Sequence, residues 1–167
     1  HHAKSLGGAR IERYAPEQRR ELGRRLALEN QLRRALERDE LFLQYQPKVA
    51  LDSGALAGFV VLLRWRHPEH GVVSPEEFVP IAEETGLIAP IGEWIVRSAV
   101  DQLVAWRRAG VPEVPVAVNL SARQFLQSDV IAIVGELLET ARLRPELLEL
   151  ELTESVSMAD PGRSMVI

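Results

Sequence analysis

Four polar residues stand where apolar runs end. Arg64 follows Leu56–Leu63, Asn119 lies near the end of Val114–Leu120, and Glu151 and Glu154 close the run Leu147–Thr153. One asparagine and one or two glutamates offer oxygen ligands, which suit Mg²⁺, Mn²⁺ or Ca²⁺ rather than zinc. Arg64 offers a guanidinium for a phosphate. Gathered on one rim, these groups suit metal-assisted chemistry on a phosphate ester. Each also has a plainer reading. Glu151 and Glu154 could be exposed edge carboxylates, Asn119 could cap the next turn, and Arg64 could pair with Glu83 or Glu84.

Whether the four meet depends on the elements that carry them. Leu41–Val49 alternates, with Leu41, Leu43 and Tyr45 on one face and Phe42, Gln44 and Gln46 on the other. Asp52-Ser53-Gly54 marks a turn into a second strand, Ala55–Trp65, apolar enough to be covered on both faces. His67–Gly71 reads as a loop. Ser74-Pro75-Glu76-Glu77 opens a helix that runs to Thr85 and stops at Gly86. A longer helix spans about 91–109, and Val114–Leu120 is a strand. Ser121 caps a short helix, Asp129 caps one reaching about Ala141, and Leu147–Thr153 is a further strand. The order β-β-αα-β-α-β predicts an α/β fold with parallel strands, either doubly wound or a barrel. In both, the C-terminal strand ends share the ligand-binding face.

Ahead of these lies a helical segment, 17–38, with Leu22, Leu26, Leu32 and Leu36 assigned to one face and Leu28 and Ala35 beside them. We read it as a linker helix. Residues 3–16 carry a short strand and a turn, and His1-His2 reads as the remnant of an expression tag.

Composition narrows the partners. The chain has 167 residues, 46% hydrophobic and 26% charged, which predicts one globular domain with a helical appendage. It has no cysteine, hence no disulfide or thiolate metal site, and a reducing, cytoplasmic setting is expected. No apolar run approaches the length of about 18 residues that a membrane span needs. Residues 1–40 hold ten Lys/Arg and seven Asp/Glu, and the remainder ten and seventeen. The acidic remainder argues against a nucleic-acid polymer as partner. The arginine pairs at the front are interleaved with glutamates, as on a solvated helix face.

Five strings carry a family resemblance. They are Tyr45-Gln46-Pro47, Leu62-Leu63-Arg64-Trp65, Phe78-Val79-Pro80 with Ala82–Ile88, Val118-Asn119-Leu120-Ser121, and Glu151-Leu152-Thr153-Glu154-Ser155. In this order and spacing the chain resembles the bacterial EAL domain, the cyclic-di-GMP phosphodiesterase family. The resemblance implies a modified TIM-like (β/α) barrel with one antiparallel strand. It implies Mg²⁺ or Mn²⁺ as cofactor and a metal-activated water that opens cyclic di-GMP to the linear dinucleotide. On this resemblance Asn119 and Glu151 match metal ligands, and Glu154 matches a loop-steadying glutamate. Arg64 matches a phosphate-contacting arginine, and Gln46 a residue near the guanine pocket. Residues 1–16 would then hold the tag remnant and a possible tail of a preceding GGDEF domain, 17–38 the linker helix, and 39–167 the N-terminal half of an EAL domain.

Two departures matter. Val60-Val61-Leu62 stands where the family has Glu-Ala-Leu, so the family's first metal ligand aligns with Val60, which cannot coordinate a cation. The family's later site residues, paired aspartates, a lysine and a last glutamate, do not occur before Ile167. The expectation is a partial barrel with an open edge that pairs with its own copy or with a missing C-terminal half. A catalytically inactive binding or regulatory module follows. The alternatives are a phosphodiesterase in its full-length form and an oligomerisation fragment.

Overall fold

The structure is a computed structural model, and it describes residues 16–121, 123, 124 and 129–152. The short strand and turn expected ahead of residue 16 lie outside the described residues. The sheet begins with β1 (Leu41–Val49) and β2 (Leu56–His67), a hairpin closed at the predicted turn and paired Phe42↔Arg64, Gln44↔Leu62 and Gln46↔Val60. β3 (Gly71–Val73) adds to β2 where a plain loop was expected. Three residues are too few to show alternation, and Gly71 at φ 69° supplies the tight reversal. β4 (Val116–Leu120) runs parallel to β2, and β5 (Leu148–Leu152) parallel to β4, giving the order β1-β2-β4-β5. The long β1 is therefore an antiparallel strand beside the parallel set β2, β4 and β5, as the resemblance implied, and the short β3 is a second antiparallel strand that it did not.

The crossovers are helical. α2 (Pro75–Thr85) starts after Ser74 and ends at Gly86 in the left-handed region. Ser74 is extended as a cap should be, but its side chain makes no cap bond. α3 (Ile88–Arg108) begins three residues earlier than its periodicity indicated. α4 (Val130–Ala141) is capped as predicted, Asp129 Oδ1 accepting from the Ala132 amide. Trp65, Val61, Val116, Val118 and Leu120 face these helices and are buried with Phe78, Ile91, Ile95 and Val96. The opposite sheet face is wetter: Gln44, Gln46, Asn119, Glu149 and Glu151 are all exposed. So β2 is covered on one face only among the described residues, not on both.

α1 (Pro16–Ala35) ends three residues earlier than expected, at a turn in which Asp39 has φ 54° and the Glu40 amide reaches back to Ala35. Its buried stripe is Leu28, Leu32 and Ala35, while Leu26 is 53% exposed. The expected stripe through Leu26 and Leu32 fails because six residues turn a helix by about 240°. Ion pairs Arg24–Glu77 and Arg25–Glu84 bridge α1 to α2. Among the described residues no helix is long and apolar enough to cross a membrane.

His67 pins α1 from the other side. It is 1% exposed, and its Nδ1 accepts from the backbone amides of Glu69 and His70. The proton therefore sits on Nε2, which donates to Gln31 Oε1 of α1. Burial, and then the stacked His70, push the His67 pKa down; Arg24 does the same, against the pull of Glu40 and Glu69. A lowered folded pKa means the unfolded chain binds protons first as pH falls. The stabilisation is thus present above about pH 6.5 and is lost as pH drops through the folded value. Denaturation midpoints should be flat from pH 8 to 7 and should fall toward pH 5. His67→Gln should flatten that decline.

Candidate functional site

Period-two alternation sorts the sheet's open face into rows. Gln46, Val60, Ala117 and Glu149 are paired across β1, β2, β4 and β5. One step nearer the C-terminal strand ends come Gln44 and Leu62, and the directly paired Asn119 and Glu151. Phe42 and Arg64 follow. Asn119 and Glu151 thus stand on adjacent strands, about 5 Å apart along the backbone hydrogen-bonding direction. Val60 is on the same face, diagonal to Asn119 at about 8 Å between Cα positions. Gln46 flanks Val60, and Arg64 lies about 13 Å farther along β2 than Val60. Five of the six residues singled out in the sequence therefore share one face. The sixth, Glu154, lies outside the described residues.

The plainer readings of two of these residues fail. Arg64 pairs with neither Glu83 nor Glu84. Glu84 takes Arg25, and the Glu83 carbonyl takes Arg123. Arg64 Nε instead donates to Gln44 Oε1 at 2.9 Å, and Nη1 donates to the Leu63 carbonyl at 2.9 Å. Ser121, not Asn119, caps the turn after β4, its Oγ accepting from the Gln124 amide at 3.2 Å. Gln124 is 3% exposed and lies against Gly92 of α3, where a Cβ would collide with its amide. That contact braces the segment following Asn119 against α3. Gln44 was not singled out in the sequence, although its alternation with Gln46 had put it on this face.

Asn119 and Glu151 suit a hard cation in kind, since both offer oxygen. They fall short in number. Mg²⁺ wants six oxygens in near-octahedral array, and Val60 presents an isopropyl group where the row could supply another. Among the described residues no cluster of three or more His, Asp or Glu could hold a metal. On the lower row Glu149 is engaged by Lys48 at 2.6 Å.

Comparison with known proteins places this geometry. The bifunctional diguanylate cyclase/cyclic di-GMP phosphodiesterase MucR of Pseudomonas aeruginosa is 46% identical over 142 residues, 85% of this chain and 21% of its own length. The cyclic di-GMP phosphodiesterase PdeR of Escherichia coli is 36% identical over 153 residues, covering 92% and 23%. The chain therefore spans about a fifth of these relatives. Among solved structures, the PaMucR phosphodiesterase in complex with c-di-GMP superposes with TM-score 0.79 at 45% identity, over 84% of this chain and 57% of that one. The Xanthomonas citri FimX EAL domain in complex with c-diGMP gives 0.70 at 31%, over 84% and 54%. Residues 29–164 match the family profile described as the EAL domain, and the chain belongs to that family of cyclic-di-GMP phosphodiesterase signalling proteins.

Proposed function

We propose that this chain is a cyclic-di-GMP-binding EAL module that does not itself hydrolyse the dinucleotide. The observation that carries the reading is the shared face. Arg64, Gln46, Asn119 and Glu151 stand together on the open side of the sheet, while Val60 occupies the row where a carboxylate would extend the oxygen set. In this reading the Arg64 guanidinium takes a phosphate oxygen pair, and the Gln46 amide meets a guanine edge. Asn119 and Glu151 hold a shared divalent ion only weakly, and so position the dinucleotide without activating a water. Glu154 keeps the role that the resemblance assigns to it. α1 serves as the linker that carries conformational change to or from a neighbouring domain, through its contacts with α2 and His67.

The test is calorimetric titration with cyclic di-GMP, with and without Mg²⁺, on the chain and on Arg64→Ala. A charge-assisted pair of hydrogen bonds is worth about 1.5–3 kcal/mol, so the variant should bind about ten- to a hundredfold more weakly. Chromatography after prolonged incubation with Mn²⁺ should show no linear dinucleotide. Silent calorimetry with the parent chain removes the binding reading, and turnover removes the inactive one.

A further inference from the structure

We propose that Gln44 is a positioning residue for Arg64, presenting its guanidinium to the phosphate without neutralising it. The inference rests on the reading that Arg64 meets the phosphate. Gln44 pairs with Leu62, and Arg64 with Phe42, so the two side chains are diagonal neighbours on one sheet face. The Nε–H of Arg64 donates to Gln44 Oε1, and one Nη1–H to the Leu63 carbonyl, both at 2.9 Å. A guanidinium has about five N–H donors, so these two bonds fix its plane and leave about three, including both on Nη2, for a ligand.

Both acceptors are neutral. Among the described residues Arg64 has no ion pair, whereas Arg24, Arg25, Arg33, Arg38, Arg97 and Arg144 each have one. Its charge therefore stays uncompensated at the rim. A glutamate at position 44 would hold the same geometry but compete with the phosphate for the charge. A second cation stands on the same face, Arg66 lying over the Phe42 ring at 4.7 Å, and adds to the positive potential there. Holding the guanidinium in its binding orientation removes the ordering cost from the binding step. Gln44 is exposed, so changing it should leave the fold intact.

The experiment uses the chain with Gln44→Leu, Gln44→Glu and Arg64→Ala, and the Gln44→Leu/Arg64→Ala pair. Cyclic di-GMP affinity should fall about threefold to tenfold in Gln44→Leu, as expected for one net hydrogen bond. It should fall further, and with shallower salt dependence, in Gln44→Glu. Adding Gln44→Leu to Arg64→Ala should change nothing, because the effect passes through the arginine. In the ligand-free chain, the Arg64 Nε–H proton resonance, assigned by its disappearance in Arg64→Ala, should shift and exchange faster in Gln44→Leu. Additive losses in the double variant, or an Nε–H resonance indifferent to Gln44→Leu, overturn the proposal. If the parent chain does not bind cyclic di-GMP yet the resonance responds, the positioning stands and the ligand assignment alone falls.

Discussion

Val60→Glu raises the affinity of the chain for Mn²⁺ or Mg²⁺ by about tenfold or more, equivalent to about 1.4 kcal/mol. The new carboxylate extends from the row of Gln46 and Ala117 toward the next row, where Asn119 and Glu151 already stand side by side. Two carboxylates and an amide oxygen make a donor set of the kind hard divalent ions favour, and the second negative charge supplies most of the gain. The cost to the fold is small. Val60 is only half-buried, and its outgoing methyl groups leave no closed cavity on the open face. Glu149, the nearest existing carboxylate on that row, is held by Lys48 at 2.6 Å and so repels the newcomer less. Manganese titration followed by electron paramagnetic resonance reads the effect directly. Asn119→Ala in the Val60→Glu background should return the affinity to the parental value. Equal affinity in the parent chain and in Val60→Glu would mean that this strand position does not face the oxygen pair.

That expectation was legible in the sequence through the family resemblance, which aligns Val60 with a metal-ligating glutamate. Apolar runs with polar ends identified β2, β4 and β5, and Gly86 and Asp129 ended or began their helices as their chemistry requires. Strand ends alone grouped Arg64, Asn119 and Glu151, and the resemblance added Gln46 and Val60, while their common face required the strand register. What stayed hidden depended on contacts between distant segments. The stripe of α1 is Leu28-Leu32-Ala35 rather than one through Leu26, because α2 and His67 choose the docked face. β3 forms because β2 continues to His67 and offers it an edge, not because three residues prefer extension. Gln44 emerges as the partner of Arg64 only once the hairpin register is known, since a one-residue slip would send it to the other face.

The same register makes Trp65 the residue whose loss should be felt most. Trp65 is 0% exposed and faces the helices, while its neighbour Arg64 faces the open side. Its ring meets Phe78 of α2 edge-on at 5.6 Å and His67 at 5.2 Å. Its Nε1 donates to Glu40 Oε2 at 3.0 Å, and the Glu40 carbonyl in turn receives the Arg66 amide at 2.7 Å. Trp65→Ala opens a cavity among Phe78, His67 and the end of α1, at a cost of about 3–5 kcal/mol. Against a typical domain stability of about 5–15 kcal/mol, that removes at least about a fifth of the total. Trp65→Phe keeps the edge-on contacts and loses the hydrogen bond to Glu40, so it should cost about 1–2 kcal/mol. Urea denaturation separates the two. The functional consequence follows from alternation. With the tryptophan gone, the largest helix-side anchor of β2 is lost and only Val61 and His67 remain there as buried side chains, so the register that sets the Arg64–Gln44 bond is held less firmly. Cyclic di-GMP affinity should therefore drop in Trp65→Ala under conditions where circular dichroism still reports native helix, and should hold in Trp65→Phe. A Trp65→Ala protein within about 1 kcal/mol of its parent would show that the strand is anchored elsewhere, since full burial of a tryptophan should outweigh that several times over.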